Sequence, residues 1–166
     1  MEKGNMMETI YDFKALTSKG KELDFSQFRG KTLLVVNTAS KCGFAPQFAG
    51  LEELNRKYRD KGLVVVGFPS GDFAHQELSD GDKAEEYCQL NYGVSFRIMK
   101  KVHVNGDDAE PVFKFLKKRT RGLLGSRIKW NFTKFLIAPD GVTVKRYAPL
   151  TAPRKMEKDI EILLGV

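Results

Sequence analysis

Residues 32–38 (TLLVVNT) and 63–68 (LVVVGF) are near-continuous runs of apolar, largely β-branched side chains. Such runs suit strands covered on both faces, as in a sheet with helices above and below it. Between them lie a short loop, ASKCGFA, and an amphipathic stretch with Phe48, Leu51, Leu54 and Tyr58 on one side. Pro46 falls in the first turn of that expected helix and Gly62 just past its end, the usual asymmetry of helix starts and stops. Strand, helix and strand in this order point to parallel pairing and to an α/β chain.

The flanking sequence fills out that plan. Residues 10–16 and 21–25 flank a Ser18-Lys19-Gly20 turn and suggest a peripheral hairpin. Pro69 stops the second buried strand, and Asp80 or Asp82 is placed to cap a helix that runs to about Asn91 and closes at Gly93. A third strand is expected over Lys101–Val104, before Asn105-Gly106, and a helix over about Glu110–Arg119. Residues 134–138 and 142–147 bracket Pro139-Asp140-Gly141, a strong hairpin signal. A last amphipathic helix, about Arg154–Leu164, places Met156, Ile160 and Leu163 or Leu164 on one stripe. The expected architecture is a thioredoxin-like α/β fold: a mixed central sheet flanked by helices, with an N-terminal hairpin and a mid-chain insertion.

Without repeats, low-complexity tracts or a flexible linker, the 166 residues read as a single domain over 1–166. The net charge of +7 is spread along the chain and densest at Lys117–Arg121, which reads as a solvated basic face, and no nucleic-acid motif accompanies it. No apolar run reaches the length of a membrane span. The opening MEKGNMMETI lacks the apolar stretch of a secretion signal, and its acidic residues do not suit a transit peptide. A cytoplasmic protein without membrane insertion is therefore expected. It has two cysteines, Cys42 and Cys88, too few for a disulfide framework and more consistent with chemistry or packing.

Cys42 follows a buried strand and precedes a helix. The attacking species in thiol chemistry is the thiolate, which the positive end of a helix favours, and Lys41 adds a neighbouring positive charge. Position alone also fits an inert buried cysteine, since free cysteine is among the most buried residue types. Three ordered stretches bear on this choice: NTASKCGFAPQ (37–47), GFPSGDF (67–73) and KWNFTKFLI (129–137). Together they resemble the three signatures of the glutathione peroxidase family. CQLNYGVSF, IMKK and the run into IKWNFTKFL are similar to its thiol-based, thioredoxin-using members.

The resemblance implies a thiol peroxidase in which the Cys42 thiolate attacks the O–O bond of hydrogen peroxide or an organic or lipid hydroperoxide and becomes a sulfenic acid. It implies that Trp130 and Asn131 hydrogen-bond the sulfur and the leaving oxygen. By themselves they read as a core aromatic and a turn residue. Cys88 reads equally well as a packing cysteine. The resemblance makes it the resolving residue, which forms a disulfide with Cys42 that thioredoxin then reduces. If Cys88 starts on a helix far from Cys42, that helix must shift, so residues 70–95 are expected to be mobile in the oxidised protein. No Arg or Lys can be assigned to glutathione, and no cofactor or metal ligand set is evident.

One departure bears on rate. The second signature usually reads F-P-C-x-Q-F, and its Gln is taken to complete the catalytic set, yet the chain has Asp72 there. A carboxylate accepts but does not donate, and its charge would disfavour a thiolate. Asp72 is expected to pair with a lysine such as Lys41 or to turn away, with slower peroxide attack as the consequence. Arg97 in Phe96-Arg97-Ile98 is a smaller departure, and Ala45 a mild one. Family members with a longer segment before Trp130 often form tetramers, so the resemblance implies a monomer or weak dimer with an open site for this chain. A redox relay that passes the disulfide to a client protein is the competing reading.

Overall fold

The computed structural model describes residues 7–78, 80–121 and 125–166. A small antiparallel hairpin, β1 (Lys14–Leu16) and β2 (Glu22–Asp24), precedes a five-stranded mixed sheet. That sheet contains β3 (Thr32–Thr38), β4 (Leu63–Pro69), β5 (Arg97–Ile98), β6 (Lys134–Ile137) and β7 (Val144–Tyr147) in the order β5-β4-β3-β6-β7. β3 runs parallel to β4 and β4 to β5, whereas β6 lies antiparallel to both β3 and β7. The two apolar runs thus form the adjacent central strands, with all seven residues of β3 buried.

Successive side chains of a strand point to opposite faces, and β3 divides accordingly. Leu33 and Val35 join one apolar layer with Phe68, Phe113 and Phe135, while Leu34 and Val36 join the other. That second layer is roofed by α1 (Gln47–Tyr58), α2 (Gly81–Tyr92) and α4 (Glu157–Leu164), and α3 (Pro111–Arg119) packs on the first. Cys42 and Cys88 both belong to the second layer.

The local signals act largely as expected. The Asp80 carboxylate, rather than that of Asp82, caps α2 by accepting from the Lys83 N–H at 2.9 Å. Gly93 ends the helix in the left-handed region, at φ 64°, where a residue without Cβ is unstrained. Gly81 meets the adjoining backbone so closely that a Cβ would lie 2.8 Å from the Met99 carbonyl oxygen. Two boundaries differ. Gly62 closes a short 3-10 turn over Arg59–Lys61 after α1 has ended, and the last helix opens as a 3-10 turn over Pro153–Met156.

The strand expected over Lys101–Val104 does not form. The third parallel strand is β5, and the chain then leaves the sheet because its backbone donors are taken elsewhere. Lys100 donates to Leu16, Val102 to Pro69, and Val104 to the Asp72 carboxylate. Met99 bridges to Thr17 of the hairpin. Alternation of apolar residues could not distinguish a ladder from this set of separate anchors.

Candidate active site

β3 delivers the chain directly to Cys42. Beyond Thr38 the backbone winds through successive tight turns, in which Ala45 donates to the Cys42 carbonyl at 2.9 Å and Gln47 to that of Phe44 at 2.8 Å. α1 itself starts at Gln47, so the donor aimed at the sulfur is a turn amide: Phe44 N–H lies 3.4 Å from Cys42 Sγ. The thiol is 5% exposed and unpaired.

The turn that carries Trp130 and Asn131 is fastened to the end of the same strand. The Asn37 side chain donates to the Trp130 carbonyl at 3.1 Å and accepts from Thr133 N–H at 3.0 Å, while its own carbonyl accepts from Phe132 N–H at 2.7 Å. These bonds hold Phe132 at φ 63°, a region that costs a bulky residue about 1–3 kcal/mol. The Phe132 ring is fully buried edge-on to Phe48 of α1, with centroids 5.1 Å apart. Trp130 packs against both apolar layers, with its ring 5.7 Å from that of Phe73. Asn131 is completely buried. Its Nδ2 donates to Gln76 Oε1 at 3.0 Å, and its Oδ1 has no partner among the described residues.

Gln76, and not Asp72, therefore provides the amide beside Asn131. The Asp72 carboxylate turns to the 103–104 segment, where it accepts from Val104 N–H at 2.8 Å and pairs with His103 Nδ1 at 2.7 Å. Burial works against its charge, but the Val104 N–H and His103 outweigh it and keep the pKa below the ordinary value. Asp72 does turn away and pair, but with His103 in place of Lys41. Left-handed backbone at Ala74 and His75, φ 55° and 49°, redirects the chain after Asp72 and brings Gln76 and Glu77 to the site. Motif spacing could not show that reversal; a Gln-Glu pair in a short loop was the only sequence signal.

A cleft of about 790 Å³ is lined by Asp72, Phe73, Lys101, His103 and Arg127 among others. Neither cysteine lines it. Arg97, the other departure, stacks its guanidinium over the Phe28 ring at 5.1 Å.

Cys88 lies within α2, fully buried, with its thiol donating to the Glu85 carbonyl at 3.2 Å. Burial first, and then the charges of Glu85 and Glu77, push this thiol up to about 12. A thiol so placed is unreactive where it stands. The far end of α2 is tied down as well, since the buried Glu52 of α1 accepts from Ser95 N–H at 2.9 Å and from its hydroxyl at 2.6 Å. Among the described residues, no group of three or more His, Cys, Asp or Glu side chains is arranged to hold a metal ion.

A mixed sheet with a cysteine at the mouth of its central strand, a buried amide pair nearby and a second thiol on the same face defines a thiol oxidoreductase of thioredoxin-like fold. A thioredoxin-family thiol:disulfide interchange protein from Chlorobium tepidum TLS shares that fold over 92% of this chain and 93% of its own, with a TM-score of 0.64 at 16% identity. The chain belongs to the glutathione peroxidase family, whose model matches residues 10–117. It is 51% identical to a glutathione peroxidase of Lactococcus lactis subsp. cremoris, over 93% of this chain and 99% of that one. It is 48% identical to glutathione peroxidase-like peroxiredoxin 2 of Saccharomyces cerevisiae, over 96% and 99%. A solved structure described as Trgpx in apo form superposes with a TM-score of 0.80 at 40% identity, covering 97% of this chain and 98% of its own.

Proposed function

We propose that the chain works as a single-domain, two-cysteine thiol peroxidase. The Cys42 thiolate attacks one oxygen of a hydroperoxide, the O–O bond breaks, and the other oxygen leaves as water or an alcohol after taking a proton. Cys42 is left as a sulfenic acid. Trp130, Asn131 and Gln76 orient the sulfur and the peroxide oxygens. The Cys88 thiol then displaces the sulfenic hydroxyl, which departs as water, and a Cys42–Cys88 disulfide forms. Thioredoxin returns both thiols in exchange for its own disulfide. Hydrogen peroxide and organic or lipid hydroperoxides are the substrates, no cofactor takes part, and the protein acts in the cytoplasm as a monomer or weak dimer.

The observation that carries this reading is the placement of two reduced thiols in one apolar layer, one beneath a turn amide and the other stowed inside a helix. The peroxiredoxin relatives in yeast are consistent with a dithiol reductant. Steady-state peroxide consumption with thioredoxin and its reductase tests it, using wild type, Cys42→Ser and Cys88→Ser. Saturable turnover that disappears in both variants is expected. One burst of oxidation in the wild type with no subsequent cycling would refute the peroxidase reading and favour a relay.

A further inference from the structure

Two consecutive residues of the 70–80 loop hold two consecutive amides just before Cys42. Lys41 N–H donates to the Gln76 carbonyl at 2.8 Å. Ser40 N–H donates at 3.1 Å to Glu77 Oε1, which also accepts from Leu78 N–H at 2.8 Å. Glu77 is only 6% exposed, and neither its Oε2 nor the Ser40 hydroxyl has a hydrogen-bond partner among the described residues. Burying a carboxylate with one oxygen unsatisfied is costly, and two left-handed residues, Ala74 and His75, are needed to bring it there. Burial pushes Glu77 up against the opposing pull of the Leu78 and Ser40 amides. A leucine would fill the space without these costs; it could not bind the Ser40 amide.

Glu77 is also connected to the second thiol. Its charge is felt at Cys88, and only Leu78 to Asp80 separate it from the first turn of α2. To bond the Cys42 sulfur, Cys88 must give up its hydrogen bond to the Glu85 carbonyl, and any displacement of α2 pulls on this short link. We propose that Glu77 is a positioning residue for Cys42: it latches the 40–42 loop in its peroxide-reactive arrangement while Cys88 is stowed, and lets go as α2 opens. This rests on the two-cysteine reading above. The latch orders the half-reactions, because the arrangement that favours attack by Cys42 exists only before Cys88 has moved.

The test compares Glu77→Ala, which removes the acceptor, with Glu77→Gln, whose amide oxygen can still bind both amides. In the reduced proteins, Ser40 hydrogen exchange should accelerate by about tenfold or more in Glu77→Ala and stay near wild type in Glu77→Gln. Cys42 oxidation by hydrogen peroxide should slow by about tenfold or more in Glu77→Ala and remain within about threefold in Glu77→Gln, the scale of one charge-assisted hydrogen bond. Wild-type oxidation rate with Ser40 still protected in Glu77→Ala would overturn the latch, as would equal losses in both variants. Should Glu77→Ala not fold, wild type decides: Ser40 must lose protection in the Cys42–Cys88 disulfide, and retained protection overturns the proposal. Failure of wild-type Cys42 to react with peroxide would instead refute the peroxidase reading, and the exchange of the reduced variants would still judge the latch.

Discussion

Replacing Gln76 with Ala separates the contribution of Gln76 from that of Asp72. Gln76 Oε1 is the partner of Asn131 Nδ2, and Asn131 Oδ1 already has none among the described residues. The substitution leaves a fully buried amide unbonded at both ends, a local cost of about 1–3 kcal/mol that Asn131 can relieve only by swinging out of place. Loss of a preorganised donor from a reacting site costs about 3–4 kcal/mol, or roughly 10²–10³ in rate. We therefore expect the second-order rate constant for oxidation of reduced protein by hydrogen peroxide to fall about 10²-fold in Gln76→Ala. Asp72→Asn, which keeps an oxygen for the Val104 amide, should stay within about threefold, as substitutions away from reacting groups do. Stopped-flow fluorescence of Trp130, the chain's single tryptophan, reports the step directly. A wild-type rate in Gln76→Ala together with a slow Asp72→Asn would refute the assignment and restore the significance of Asp72.

Three further outcomes follow from the same structure. The buried Lys134 ammonium donates to the carbonyls of Ala148, Pro149 and Thr151 at 3.2, 2.9 and 2.5 Å, so Lys134→Met should cost about 2 kcal/mol and lower Tm by about 4–8 °C. An unchanged Tm would mean that the cost of burying the charge cancels those bonds. The hydrogen bond and charge of Asp72, and then the charge of Asp108, hold the His103 pKa above its ordinary 6.5. The stability His103 contributes is accordingly full below about 6.5 and fades as pH rises through the raised folded value. An NMR titration should show that elevation in wild type and a smaller one in Asp72→Asn, where Asp108 remains. Finally, with its thiol pushed up to about 12, Cys88 should resist iodoacetamide in the native reduced protein at pH 8 and react once the chain is unfolded. Rapid labelling of native Cys88 would show that α2 is already open.

The central sheet and the place of Cys42 just past its central strand were legible in the chain because their signals are local. An apolar seven-residue run can bury both faces of β3 only at the centre of a sheet, and Cys42 follows that run directly. Asp80 or Asp82 at one end and Gly93 at the other marked α2 because caps act over a few residues, and the fold chose Asp80. What tertiary structure alone decided are contacts between segments far apart in sequence. Asp72 occupies the familiar motif position, but the Val104 amide and His103, some thirty residues away, draw its carboxylate aside. Gln76 reaches Asn131 only because two left-handed residues reverse the loop. The Lys101–Val104 segment has the composition of a strand, yet its donors find Pro69 and Asp72 instead of a ladder. Local signals along the chain placed Cys42 between a buried strand and a helix; which amides surround it, and how deeply Cys88 is buried, depended on backbone hydrogen bonds that only the folded chain can satisfy.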